Sequence, residues 1–184
     1  MTKPIADRDK FTIALLGHPA KTKGMQDALD TIALCREHYP QLQVHIFTTY
    51  QLNFTPLPWV HVYFNPSSTK LNALYNRCAL FVAPSWTEGF GLTPAEAMQC
   101  GCAVVATAIG GHSEFCVDNQ TALLVPIQNP KAQACAILRL LNDDCLRLRI
   151  AKNSNRAIQQ FDFARSANAL ASLINRTISQ NNPP

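Results

Sequence analysis

Short apolar runs alternate with longer segments of helical periodicity along most of the chain. The runs are rich in Val, Ile, Leu, Phe and Ala, and their lengths of about four to seven residues are typical of buried strands. We therefore predict a sheet of about six strands. The runs lie at 11–16, 42–48, 60–64, 80–83, 103–106 and 122–126.

Between and after these runs, apolar residues recur at every third or fourth position, which predicts helices. Strands that alternate with helices indicate right-handed crossovers, and hence a parallel sheet with helices on both faces. We expect an α/β fold with one Rossmann-like domain over residues 11–179. Residues 1–10 are predicted to be a flexible lead-in or linker, and residues 180–184 a loose tail. The predicted helices lie at 24–39, directly after 65–68, and at 93–100, 132–141, 143–159 and 164–178.

The loops that follow the predicted strands are expected to share one edge of the sheet. In parallel sheets of this kind, ligands bind at the carboxyl ends of the strands. The loops that would meet at that edge are 17–24, 65–68, 84–92 and 107–114.

The composition of the 184 residues fits a globular protein, since 47% are hydrophobic and 15% are charged. The formal net charge of +4 comes from scattered basic residues, so no nucleic-acid-binding stripe is predicted. The apolar runs fall short of the ~18 residues that a membrane span needs. Residues 1–10 lack the apolar core of a secretory signal.

The seven cysteines are odd in number and include no Cys-x2-Cys pair. Most have apolar neighbours, which is typical of free thiols packed in a core. Cys100 and Cys102 flank Gly101, but without a nearby histidine this spacing is a weak metal signal. We therefore expect free thiols, no bound metal, and a reducing, cytoplasmic compartment.

The segment from Pro84 to Gly101 combines a strand end, a glycine-rich turn and a helix start. Thr93 is the predicted N-cap, Pro94 suits the first helical position, and Glu96 completes a capping box. Gly101 falls where the end of a helix favours a positive φ. Because N–H groups at a helix N-terminus favour anions, the segment predicts an anion-binding pocket.

Two glutamates in this segment, Glu88 and Glu96, enclose the turn 89–92. The Glu-x7-Glu pattern resembles the signature of retaining glycosyltransferases of the GT-B fold, in particular family 4. Two further motifs fall where that family has them: Gly-x5-Lys-Gly at 17–24 and Gly-Gly-x-x-Glu at 110–114. The resemblance runs from about residue 11 to about residue 160.

Enzymes of this family have two Rossmann-like domains that face each other across a cleft, and this chain resembles the C-terminal, donor-binding half alone. The resemblance implies that an N-terminal acceptor-binding domain is missing from the chain. It also implies a nucleoside-diphosphate sugar of the UDP, GDP or ADP type, an unidentified acceptor, and neither cofactor nor metal. A hexosyltransferase-like activity is expected, with little or no transfer by this domain alone.

The resemblance also assigns roles to individual residues. Glu88, the catalytic residue, faces the hydroxyls or the anomeric centre of the donor sugar, and Lys23 neutralises the diphosphate. Glu96 accepts hydrogen bonds from the ribose, although a capping role alone would also explain it. His18 stands where the family usually has an arginine that grips the phosphates. Backbone N–H groups bind the sugar and the phosphates at Phe90, Gly91 and Leu92.

Two other functions can be compared with this one on the same residues. A non-catalytic module that binds nucleotide sugars or another protein is favoured by His18 in place of arginine and by the missing acceptor domain. A dinucleotide oxidoreductase is disfavoured, because the first strand leads into Gly17-His18-Pro19 and not into Gly-x-Gly-x-x-Gly.

Overall fold

The computed structural model describes residues 4–53 and 55–181, and at its centre is a parallel sheet of six strands in the order β3-β2-β1-β4-β5-β6. Every neighbouring pair runs parallel. The predicted strand count and direction are thereby confirmed. The strands are β1 (Thr12–Leu16), β2 (Gln43–Thr48), β3 (Val60–Phe64), β4 (Leu80–Ala83), β5 (Ala103–Thr107) and β6 (Leu123–Val125).

Seven helices connect and follow the strands within the described residues. Six of them correspond to the predicted helical segments, whereas α4 was not predicted because a single turn is too short to show periodicity. Two 3-10 helices, Ile5–Asp7 and Lys21–Lys23, were not predicted for the same reason. The helices are α1 (Met25–His38), α2 (Ser68–Arg77), α3 (Leu92–Gln99), α4 (Gly110–Ser113), α5 (Pro130–Asn142), α6 (Asp144–Ile158) and α7 (Phe163–Asn181).

Helices cover the sheet on both faces, as predicted. Along β1, Ile13 and Leu15 pack into a core that includes residues of α1 and α5, whereas Ala14 faces a second core with residues of α2 and α3. Successive strand residues point to opposite faces. Strands buried on both faces therefore read as the continuous apolar runs seen in the sequence.

The strand order places a crevice between β1 and β4. The chain builds the sheet outward from β1 through β2 to β3, and then in the opposite direction from β4 through β5 to β6. At such a reversal the loops after the two central strands diverge and leave a binding crevice. The loops concerned are 17–24 after β1 and 84–91 after β4.

Among the described residues of the N-terminal segment, Ile5, Arg8 and Lys10 contact the domain, and the Lys10 Nζ lies 3.1 Å from Oδ1 of Asp144. Ile5 contacts one of the hydrophobic cores, and Arg8 is buried with its guanidinium directed at backbone carbonyls. These contacts were not expected for a flexible lead-in over residues 1–10. Residues 1–3 lie outside the described part of the chain. At the other end, α7 continues to Asn181, so residues 180 and 181 of the predicted loose tail belong to a helix. Residues 182–184 lie outside the described part of the chain.

All seven cysteines are free thiols, and four are buried. Burial raises the pKa of Cys35, Cys78 and Cys116 to about 12. These thiols are therefore protonated and act as small apolar side chains, as predicted. Cys135 and Cys145 are exposed. The described residues contain no group of three potential metal ligands, and none of their helices is long and apolar enough to be a membrane span.

His45, on β2, is a buried titratable residue away from the crevice. It is 1% exposed, its ring stacks on His61, and its Nδ1 lies 3.0 Å from the Tyr63 hydroxyl. Burial lowers the pKa of His45 to about 4, and the positive charge of Arg77 and the neighbouring His61 act in the same direction. The folded protein therefore keeps this imidazole neutral in mild acid.

Acidification is expected to destabilise the protein through His45. Below its usual pKa of 6.5, the unfolded chain binds a proton that the folded chain does not, so stability falls as the pH falls from 6.5 towards 4. Between pH 7 and pH 5 the loss should be about 2 kcal/mol. Urea unfolding at both pH values should show a smaller loss in His45→Leu. The control variant, His38→Gln at an exposed position, should lose as much stability between the two pH values as the wild type. Equal losses in the wild type and in His45→Leu would refute the prediction.

Candidate functional site

Lys23 and Glu88 form an ion pair across the crevice. Lys23 lies at the end of a 3-10 helix in the loop after β1, and Glu88 lies in the loop after β4. The Lys23 Nζ is 2.7 and 2.8 Å from the two carboxylate oxygens of Glu88. The two side chains are 28% and 16% exposed, so the pair is open to a ligand yet less screened by water than a surface ion pair.

A chain of hydrogen bonds holds the loop that carries Glu88. The Ser85 hydroxyl donates to Oε1 of Glu88 at 2.8 Å, and the Thr107 hydroxyl donates to the Ser85 carbonyl. Nδ1 of His112 donates to the Thr107 carbonyl at 2.9 Å. Ser85, Thr107 and His112 are all buried, so water does not compete for these bonds. The carboxylate is therefore positioned from the interior of the domain.

His112 lies beneath the glycine-rich turn. Because a carbonyl oxygen only accepts, the bond to Thr107 places the ring proton on Nδ1 and leaves Nε2 as a buried acceptor that has no hydrogen-bond partner among the described residues. Burial lowers the pKa of His112, although the bond to Thr107 opposes this, and the ring is neutral at pH 7. A Cβ at Gly91, where φ is +95°, would lie 2.8 Å from Cδ2 and 3.1 Å from Nε2 of His112. Only glycine suits position 91.

Helix α3 begins at Leu92, and the predicted capping box is wrong. Gly91 is the N-cap, and no side chain caps the helix. The left-handed conformation of Gly91 starts the helix earlier than predicted, so Thr93 lies inside it and Glu96 is too far along to cap it. The N–H groups of the first turn have no intrahelical acceptor, and with the helix dipole they favour an anion.

The side chains of the turn point away from these N–H groups or into solvent. The Phe90 ring packs against Phe115 and Phe161, with centroids 5.0 and 5.6 Å apart. The Leu92 side chain is 69% exposed. The roles predicted for Phe90 and Leu92 require only their backbone, which these side-chain positions leave unaffected.

Glu96 lies in a groove between α2 and α3 and pairs with Tyr75. The Tyr75 hydroxyl donates to Oε2 of Glu96 at 3.0 Å. Burial and the neighbouring carboxylate raise the pKa of Tyr75, so the hydroxyl keeps its proton. The groove has a volume of about 490 Å³. It is lined by Ser68, Leu71, Asn72, Tyr75, Asn76, Glu96, Gln99 and Cys100.

His18 lies apart from the Lys23–Glu88 pair. Its ring packs edge-on against Tyr50, with centroids 4.5 Å apart, and its Nδ1 accepts the N–H of Ala20 at 3.0 Å. Within the described ranges, no hydrogen bond or ion pair joins it to Lys23 or Glu88. It contributes instead to a second cavity of about 560 Å³ beside the N-terminus of α1.

A family model described as glycosyl transferases group 1 matches residues 2–157. The chain belongs to this glycosyltransferase family. Among its curated relatives, a D-inositol 3-phosphate glycosyltransferase of Corynebacterium glutamicum is 34% identical over 114 residues, which are 62% of this chain and 27% of that protein. The lipopolysaccharide core biosynthesis mannosyltransferase LpcC of Rhizobium leguminosarum is 36% identical over 108 residues, 58% of this chain and 31% of that protein. The chain thus matches about a third or less of each relative.

Solved structures show the same architecture. Sucrose-phosphate synthase from Thermosynechococcus elongatus gives a TM-score of 0.79 at 25% identity, covering 95% of this chain and 47% of that one. The C-terminal domain of a group 1 glycosyl transferase, LpcC from Francisella tularensis, gives 0.72 at 24% identity, covering 84% and 87%. HepE of Anabaena, solved with UDP-glucose, gives 0.80 at 21% identity, covering 94% and 50%. This glycosyltransferase chain therefore has the Rossmann-like α/β fold of GT-B C-terminal domains, as predicted.

Sequence reasoning missed the buried residues that support the glycosyltransferase motif. The structure brings Lys23 and Glu88 into contact, whereas the sequence predicted only that their loops share an edge. The sequence predicted no role for Ser85, Thr107 or His112. A signal existed for His112 alone, since it directly follows Gly110-Gly111 in the recognised Gly-Gly-x-x-Glu motif.

Proposed function

We propose that this chain is the donor-binding domain of a retaining glycosyltransferase, which transfers a sugar from a nucleoside-diphosphate sugar to an unidentified acceptor. The observation that carries the proposal is the Lys23–Glu88 pair at the crevice between β1 and β4. It sets one cation, suited to a diphosphate, against one carboxylate, suited to sugar hydroxyls. The free N–H groups at the start of α3 add a second anion-binding element beside it.

The proposed roles follow the chemistry of each group. Lys23 stabilises the charge that develops on the departing diphosphate, which leaves from the same face that the acceptor attacks. Glu88 is the proposed catalytic residue and binds the donor sugar at its hydroxyls or anomeric centre. Glu96, already paired with the Tyr75 hydroxyl, accepts from the ribose. The backbone of 90–92 binds the sugar and phosphates, and His18 contributes to phosphate binding once its ring leaves Tyr50.

We further propose that an acceptor-binding domain completes the cleft. The match to about half of the longer solved chains supports this, as does the near-complete match to an isolated C-terminal domain. The proposed domain covers residues 11–179, functions in the cytoplasm, and by itself transfers little or no sugar. The donor is of the UDP, GDP or ADP type, and a UDP-glucose complex is known for the fold neighbour HepE.

Calorimetric titration with UDP-glucose, GDP-mannose and ADP-glucose tests the donor site. At least one of them is expected to bind saturably. Lys23→Ala and Glu96→Ala are each expected to weaken that binding about tenfold or more, because a hydrogen bond to a charged group contributes roughly 1.5–3 kcal/mol. Lys131→Ala, at an exposed position on α5, is the control and should bind like wild type. Binding that is unchanged in Lys23→Ala would contradict the assigned site.

The second candidate function is a non-catalytic interaction module. It is favoured by the position of His18 against Tyr50 and by large apolar side chains exposed along α7. The same titrations separate the two functions, since this module need not bind any of the three sugar nucleotides. The exposed apolar residues of α7 are Leu170, Leu173, Ile174 and Ile178.

A further inference from the structure

We infer that the Lys23–Glu88 ion pair makes the site select a complete sugar nucleotide over the nucleoside diphosphate that remains after transfer. This inference rests on the proposed function, in which Lys23 binds the diphosphate and Glu88 binds the sugar. It adds a specificity role for their mutual contact.

The two charged groups satisfy each other in the structure. The Lys23 ammonium reaches both oxygens of Glu88, and Ser85 supplies a further hydrogen bond to Oε1. The two oxygens therefore already have three donor contacts. A ligand that binds Lys23 must first weaken the contact between Lys23 and Glu88. The free energy needed to separate these two side chains reduces the binding free energy of every such ligand.

A nucleoside diphosphate meets only half of what the opened pair needs. Its phosphate oxygens are acceptors and attract Lys23, but they offer no donor to the Glu88 carboxylate and bring further negative charge close to it. Glu88 would retain Ser85 alone, at a position only 16% exposed to water. The buried His112 is neutral and donates to Thr107, so it does not compensate the carboxylate. Leaving a charged group short of partners is costly.

A complete donor meets both needs. Its diphosphate takes over Lys23, and the hydroxyls of its sugar donate to the carboxylate oxygens that Lys23 has left. The opening of the pair is then offset on both sides, so the complete donor gains affinity relative to the bare diphosphate. After transfer the sugar is gone, and re-formation of the Lys23–Glu88 pair favours release of the diphosphate.

Glu88→Gln tests this by removing the charge that holds Lys23 while retaining the shape of the side chain. We expect the Kd of UDP to fall about tenfold, because Lys23 no longer has to leave a carboxylate, whereas the Kd of UDP-glucose should stay equal or rise. The ratio of the two dissociation constants should therefore shift towards the bare diphosphate. GDP with GDP-mannose and ADP with ADP-glucose are measured in the same way.

Asp27→Asn is the matched control. The Asp27 carboxylate lies near the same crevice, on the first turn of α1, and accepts the indole N–H of Trp86 at 2.7 Å; no described residue forms an ion pair with it. Its replacement removes one negative charge without freeing Lys23. A general effect of negative charge should lower the Kd of a nucleoside diphosphate and that of its sugar nucleotide by the same factor in this variant. The ratio of the two dissociation constants would then stay unchanged.

The outcomes separate the inference from the proposed function. Suppose that the wild type binds a sugar nucleotide but Glu88→Gln leaves the ratio of dissociation constants unchanged, or that Asp27→Asn shifts this ratio equally. The ion pair then does not discriminate between sugar nucleotide and bare diphosphate, whereas the proposed donor site is still supported. If the wild type binds none of the six ligands, the proposed function fails and the inference with it. Glu88→Ala provides a second variant in case Glu88→Gln does not fold, and its ratio should shift in the same direction.

Discussion

Replacement of Arg8 by alanine is expected to lower the free energy of unfolding by about 4 kcal/mol. Arg8 is 6% exposed, and its guanidinium donates to the backbone carbonyls of Tyr75, Cys78 and Cys100 at 3.3, 3.1 and 2.6 Å. These carbonyls lie at the C-terminal ends of α2 and α3, where the helix dipoles favour a cation. The variant would take the charged donor away from all three carbonyls, leave those of Tyr75 and Cys78 with only the weak donor of the Cys102 thiol, and open a cavity between the two helices.

Urea unfolding of three variants measures this effect. Arg8→Lys retains the charge, but one ammonium replaces a planar group that reaches both helix ends, so we expect more than half of the loss to remain. Arg139→Ala is the control, because Arg139 is exposed and donates one hydrogen bond, to Asn119. It should change stability by about 0.5 kcal/mol or less. A loss below about 1 kcal/mol in Arg8→Ala would refute the proposed stabilisation of the helix ends by Arg8.

The sequence could not predict the role of Arg8. The segment around it is polar and has no periodicity, so local patterns indicate a flexible lead-in. Three of its acceptors are backbone carbonyls, which carry no residue-specific signal, and one of these lies 92 residues away along the chain. A contact of this kind depends on how the ends of α2 and α3 meet, which is a property of the tertiary structure alone.

Most of the fold could be predicted because its core strands are buried on both faces. The run that became β5 is apolar at four consecutive positions, and all five residues of the strand are buried. Such a run fits a parallel sheet, and the helices between the runs fix the crossovers. The single turn of α4 and the exact start of α3 could not be predicted in this way, because one residue, Gly91, decides the latter through its positive φ.

The charged residues of the site were easier to predict than their support. Lys23 and Glu88 belong to motifs with fixed spacing, so their loops could be assigned to one edge of the sheet. The hydrogen bonds from His112 through Thr107 to Ser85 join α4 and the end of β5 to the loop after β4, and no spacing rule connects these residues. The same holds for the close packing of one glycine of α4 against the loop of Glu88.

That glycine is Gly111, and its replacement by alanine is expected to affect both stability and donor binding. A Cβ at position 111 would lie 2.9 Å from Cβ of Glu88 and closer still to the Glu88 carbonyl oxygen, which is backbone and cannot rotate away. Gly111→Ala should therefore lower the free energy of unfolding by about 3 kcal/mol. Relief of the clash requires the backbone at Glu88 or helix α4 to shift, and a shift at Glu88 would disturb its contact with Lys23, so we expect affinity for the sugar nucleotide to fall as well.

Gly110→Ala is the matched control, because a Cβ at that position meets nothing within 4 Å. Both variants add one methyl group to neighbouring residues of α4, so the difference between them isolates the contact with Glu88. Urea unfolding compares their stabilities, and titration with the sugar nucleotide that binds the wild type compares their affinities. Equal stability and affinity in the two variants would mean that the loop yields at no cost, and that α4 does not hold Glu88 in place.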